Sequence, residues 1–110
     1  MKTNELTGVA LDWAVANCEG LLHDDGTVSD YWQPSELWEQ GGPIIEREKI
    51  CIGYSYVSAT KSLRPFATRA KSLDEAGDCT QYGPTPLIAA MRCYVASKLG
   101  DEVDVPEELR

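Results

Sequence analysis

The residues with the clearest capacity for chemistry are cations. Between Lys49 and Leu73 the chain carries Lys49, Lys61, Arg64, Arg69 and Lys71, and not one Asp or Glu. All eighteen carboxylates lie outside that stretch, and the formal net charge is −8. Fixed positive charge among acid-free neighbours suits anion recognition, because a guanidinium grips phosphate or carboxylate oxygens two at a time. Arg47 and Arg92 add the same capacity from elsewhere in the chain. Trp32, Trp38, Tyr54 and Tyr56 offer flat faces on which a nucleobase stacks. Gly83-Pro84-Thr85-Pro86 reads as a helix start, which attracts anions, although its two prolines remove two N–H donors. The expected ligand site is Trp38, Arg47, Tyr54, Arg64, Arg69, Thr85 and Arg92, holding a small anionic, nucleotide-like molecule. In the competing reading the basic stretch is a solvated hairpin balanced by carboxylates across the fold, and the aromatics are core.

Catalysis finds less support. His23 is the only histidine and sits beside Asp24 and Asp25 in a turn-forming run, where a solvated loop residue is the ordinary outcome. Glu46 and Glu48 flank Arg47. Paired carboxylates do acid–base work when burial separates their pKa values, but adjacent charges of both signs more often mark a solvated helix face. No GxSxG, phosphate loop or HExxH motif is present. The expectation is a non-enzymatic protein with no catalytic residue and no cofactor. Cys18, Cys51, Cys79 and Cys93 form no CxxC pair and lie far apart, which argues against zinc and for reduced thiols.

These side chains must be positioned by a small set of elements. The spacing of Leu11, Ala14, Val15 and Cys18 predicts a first helix, capped by Thr7 and stopped at Gly20, with Trp13 off the centre of its stripe. Asp24-Asp25-Gly26 predicts a turn, and Thr27 to Trp32 a short strand. Ser35 is expected to cap a single helical turn that Gly41-Gly42-Pro43 ends, with a further short helix from Pro43 to Lys49. Alternation from Ile50 to Val57 predicts a strand, paired in a hairpin with Leu63 to Lys71, where Pro65 suggests an edge or a bulge. Leu73 to Gly83 reads as a loop. The clearest element is a last helix with Thr85 as N-cap and Pro86 at its first position. Its apolar stripe is Leu87, Ile88, Met91, Tyr94, Val95 and Leu99, and Gly100 ends it.

The expected fold class is therefore α+β: a small antiparallel sheet on two main helices, with short helical turns in the middle. A chain of 110 residues with 43% hydrophobic residues supports one domain, assigned to 1–100, with an acidic extended tail at 101–110. The acidity disfavours duplex DNA as a partner. No apolar run resembles a secretory signal or a membrane span. Open strand edges make a homodimer or higher homo-oligomer the expected assembly.

Three blocks carry a family resemblance. The first is Glu5-Leu6-Thr7-Gly8 with Ala10-Leu11-Asp12-Trp13-Ala14-Val15-Ala16, and the second runs from Trp38 to Glu48. The third, from Gly83 to Gly100, is the longest. In this order they resemble the NinX family of tailed-phage and prophage proteins. The stretch from Ser55 to Tyr82, which holds most of the basic run, departs most from the family's pattern. The resemblance implies a phage accessory protein acting in the host bacterial cytoplasm, and it brings no catalytic residues. By analogy of class, small phage proteins act as sponges for nucleotide immune signals. Anti-defence sequestration is thus the leading functional expectation, and an acidic module docking on a nucleic-acid-handling protein is the alternative.

Overall fold

A computed structural model of the chain describes residues 1–69 and 80–110. The expected loop at 73–79, Lys71 and Cys79 lie outside the described residues. Helix α1 spans Gly8–Glu19 and buries every residue from Ala10 to Ala16. Thr7 holds the extended N-cap backbone but its side chain makes no capping bond, while Gly20 takes the left-handed conformation (φ 72°) that closes the helix. The expected stripe is buried at Leu11, Ala14 and Val15 and half-buried at Cys18.

Helix α2 spans Trp38–Glu48 and corrects the sequence reading. Gly41-Gly42-Pro43 does not stop a short turn; it lies inside one continuous helix. Packing explains this. A Cβ on Gly41 would sit 2.5 Å from the Pro34 carbonyl oxygen and 2.6 Å from Leu87 Cδ1, so only glycine allows the helix this close to its neighbours. Pro43 falls early in the helix and removes a single N–H from its ladder. Lys49 then takes a left-handed conformation (φ 56°) and the chain turns into the sheet.

Strand β1, Cys51–Val57, pairs antiparallel with β2, Ser62–Thr68, in the register Cys51↔Thr68 to Val57↔Ser62. Strand β3, Gln81–Tyr82, pairs with β2 through Phe66↔Tyr82 and Ala67↔Gln81. The order is β1-β2-β3, so β2 is central and Pro65 sits in a central strand, not at an edge. Its carbonyl accepts Gly83 N–H at 3.3 Å, so the side lacking an N–H faces the point where β3 has already ended. Gln81 and Tyr82, expected in a loop, are strand. Thr27 to Trp32, expected as a strand, is loop, ordered by Asp25 accepting from Thr27 N (3.0 Å) and Oγ1 (2.6 Å).

Helix α3, Pro86–Leu99, is the centre of the molecule. It packs on α1, α2 and all three strands and buries Leu87, Ala89, Ala90, Met91, Cys93, Tyr94 and Val95. Thr85 Oγ1 accepts Ile88 N–H at 3.1 Å, and Gly100 follows the last turn. The fold is α+β as expected, with a third helix in place of short turns.

The stretch 101–110 is not an extended tail. Met1 and Val103 exchange hydrogen bonds at 2.8 and 2.9 Å, and Val103 and Val105 join the core. Their alternation with exposed Glu102 and Asp104 lets the segment bury valines while its acids face water.

Candidate functional site

Among the described residues the basic stretch does not gather into one surface. Lys61 is at the hairpin tip in a left-handed conformation, Arg64 lies within β2 and Arg69 just past its end, roughly 17 Å apart along the strand direction at ~3.4 Å per residue. Arg69 donates from Nε to the Glu48 carbonyl at 3.1 Å and places Nη2 3.3 Å from Glu48 Oε1. Glu48 also faces Arg47 (2.9 Å) and Lys98 (3.4 Å). Arg47 makes a bidentate pair with Glu19 at 2.7 and 3.0 Å, and Tyr94 donates its hydroxyl to Glu19 in a short bond. Hydrogen bonds from Arg47, ahead of every other cause, hold both Glu19 and Glu48 below the usual carboxylate range. Burial, then the bond to Glu19, pushes the Tyr94 phenol up. Arg47 and Arg69 thus belong, with Lys98, to a network of three cations on two carboxylates that joins α1, α2, α3 and the end of β2.

Trp38 and Tyr54 are about half exposed, at the start of α2 and in the middle of β1. Thr85 uses its hydroxyl as a helix cap, and Pro84 and Pro86 contribute no N–H, so this helix start is poorly equipped to hold an anion. None of Trp38, Arg47, Tyr54, Arg69 and Thr85 lines the cleft that Arg64 and Arg92 share.

That cleft, of about 380 Å³, is lined by Asn4, Arg64, Thr80, Gln81, Tyr82, Gly83, Pro84 and Arg92. Its geometry follows from close backbone approach. A Cβ on Gly83 would lie 2.9 Å from Ala89 N, so glycine lets the end of β3 touch the first turn of α3. This brings the Tyr82 carbonyl within 2.8 Å of Arg92 Nη1, while Arg92 Nε donates to the Leu6 carbonyl at 2.8 Å. Two backbone carbonyls fix the guanidinium and leave most of its five donors unused. Burial lowers the Arg92 pKa, because desolvation penalises the charged guanidinium. Arg64 stacks on the other side of the arrangement, its Cζ 3.7 Å from the centre of the Tyr82 ring. Among the described residues neither Arg64 nor Arg92 has a carboxylate partner.

The cleft therefore joins two guanidinium groups, one rigid and part-buried and one held by a ring face, with amide and hydroxyl groups from Asn4, Gln81 and Thr80. Its described lining has no carboxylate, imidazole or thiol to move a proton. Sequence reasoning selected Arg64 and Arg92 and missed Tyr82, Gln81 and Asn4. The available signal was Tyr82 standing directly before the Gly83–Pro86 run; the exposed tryptophans and hairpin tyrosines drew attention from it. The described residues bring together no group of histidine, cysteine or carboxylate side chains able to hold a metal.

Fold and cleft together define a small α+β protein with a cationic depression beside its central helix, unmatched by any carboxylate among the described residues. The family model described as Bacteriophage P22, NinX matches residues 2–98, and the chain belongs to this phage family. No curated protein matches the chain. Among the described residues, no helix is long and apolar enough to cross a membrane.

Proposed function

We propose that this phage protein is a non-enzymatic binder of a small oxyanion-bearing ligand, held between Arg64 and Arg92. The observation that carries the reading is the Arg92 guanidinium, part-buried, pinned by two carbonyls and unmatched by any described carboxylate. A bound phosphate or carboxylate would supply the missing negative charge in bidentate geometry. The cleft volume of about 380 Å³ is at the small end for ligand pockets and suits a mononucleotide-sized molecule. Stacking would come from the outer face of Arg64, because its inner face is on Tyr82. In this reading the protein works in the host cytoplasm as an anti-defence sponge. A homodimer would form through the free edge of β1, whose Tyr54 and Tyr56 are exposed.

Calorimetry with AMP, adenosine, inorganic phosphate and cyclic di-AMP tests the proposal. AMP and phosphate should bind, adenosine should not, and Arg64→Gln should weaken AMP at least tenfold without lowering the melting temperature. Absence of binding by every phosphate-bearing probe down to about 0.1 mM contradicts it.

A second reading, an acidic module docked on a basic nucleic-acid-handling protein, is favoured by one feature. Asp101, Glu102, Asp104, Glu107 and Glu108 all face solvent from a segment anchored to the core by Val103 and Val105. A stoichiometric protein partner recovered from infected cells, lost when these acids become amides, would select this reading over the first.

A further inference from the structure

A second cleft, sharing no residue with the first, lies between α1, the loop after Gly26 and the C-terminal segment. It measures about 420 Å³. Its walls include Val9, Trp13, Val28, Trp32 and Leu109, and Asp30, Glu36 and Glu108 supply acidic groups to its lining.

Buried polar groups are almost always paired, and this cleft departs from that rule. Asp12 is 5% exposed and lines the cleft. Its Oδ1 accepts Ser35 N–H at 2.9 Å, and the Ser35 side chain also acts on the carboxylate, but among the described residues no Lys or Arg pairs with it. Trp32 Nε1, also in the lining, is buried and has no acceptor among the described residues, whereas Trp13 Nε1 donates to the Gly26 carbonyl at 2.9 Å. Burial raises the Asp12 carboxyl above its ordinary value, outweighing the hydrogen bonds from Ser35 that lower it, and Glu36 adds to the rise.

A molecule completing this site must bring a positively charged donor to Asp12 and an apolar body to the indole and aliphatic walls. An acceptor within reach of Trp32 Nε1 would satisfy the remaining donor. An anion is excluded by Asp12, Asp30, Glu36 and Glu108, and a hydrophilic polyamine by the walls. We propose that the Asp12 cleft binds a small organic cation, a protonated amine carried on a short aromatic or aliphatic stem. The inference does not depend on the Arg64–Arg92 reading, since the two sites differ in residues and in the sign of their charge.

The test is intrinsic tryptophan fluorescence, because Trp13 and Trp32 both line the cleft. Phenethylammonium and tyramine are titrated into the full chain, with phenylacetate and 2-phenylethanol as anionic and neutral controls. The two amines should give a saturable change below about 5 mM, and the controls should not. Asp12→Asn keeps an acceptor for Ser35 N–H and should weaken amine binding at least tenfold; Arg64→Gln should leave it intact. Should Asp12→Asn fold poorly, Val28→Phe fills the cleft without touching the carboxylate and should abolish the response. No saturable response to either amine, or an equal response from 2-phenylethanol or from the Val28→Phe protein, overturns the proposal.

Discussion

Glu48 illustrates how much one carboxylate does. It faces Arg47, Arg69 and Lys98 from a side chain that is 11% exposed. Glu48→Gln leaves these cations facing one another, and a loss of about 1–2 kcal/mol is expected, smaller than for a fully buried pair because Arg47 and Lys98 are largely in water. Urea denaturation at pH 7 measures it. The same residues set the acid response. Glu19 and Glu48 titrate below their ordinary values in the folded state. Their contribution is therefore full above the unfolded carboxylate range and is lost as pH falls through the depressed folded values. Asp12 has the opposite sign: its folded value is raised, so its burden is present at neutral pH and lifts on protonation. Asp12→Asn should accordingly cost no stability at pH 7, while Glu48→Gln should flatten the decline of stability between pH 5 and pH 3, both read from urea midpoints. Burial pushes the half-buried Cys18 thiol up to about 11. Cys18 should alkylate far more slowly than the exposed Cys51 at pH 8, as peptide mapping after iodoacetamide would show.

Helix α2 carries the most instructive departure from sequence expectation. Gly-Gly-Pro ordinarily ends a helix, and nothing in the local sequence says that Gly41 must admit Pro34 and Leu87. The adjacent glycines separate the two effects. Gly42 has open space around its Cβ position, so Gly42→Ala should stabilise by up to about 1 kcal/mol through helix propensity. Gly41→Ala should destabilise by about 1–3 kcal/mol through overpacking, despite the same propensity gain. Thermal melts of the pair decide it. By contrast α3 was legible throughout, because Thr85, Pro86 and Gly100 mark its ends locally and its stripe repeats at the helical period. The hairpin was legible from alternation. Strand β3 was not, since two residues show no period and are held by β2 and α3.

At the scale of the whole molecule, a block of charge along the chain became several separate environments in space. Arg69 was drawn to Glu48 by the return of β2 to the end of α2, and Arg64 was left beside Tyr82 and Arg92. The sequence could name the cations but not their counter-charges, because those come from α1 and α2, distant along the chain. The acidic C-terminal segment was likewise readable as composition, whereas its docking depends on Val103 and Val105 meeting a core built from Leu6, α1 and α3. Removing residues 101–110 should therefore cost about 2–4 kcal/mol by loss of buried valine surface, read as a lower urea midpoint.

The division of the arginines is most directly tested by calorimetric titration of AMP into Arg64→Gln and Arg69→Gln proteins side by side, with melting temperatures recorded for each. Arg64→Gln should lose AMP affinity at unchanged stability, whereas Arg69→Gln should bind AMP normally and melt several degrees lower. Loss of affinity in Arg69→Gln with Arg64→Gln unaffected would contradict it.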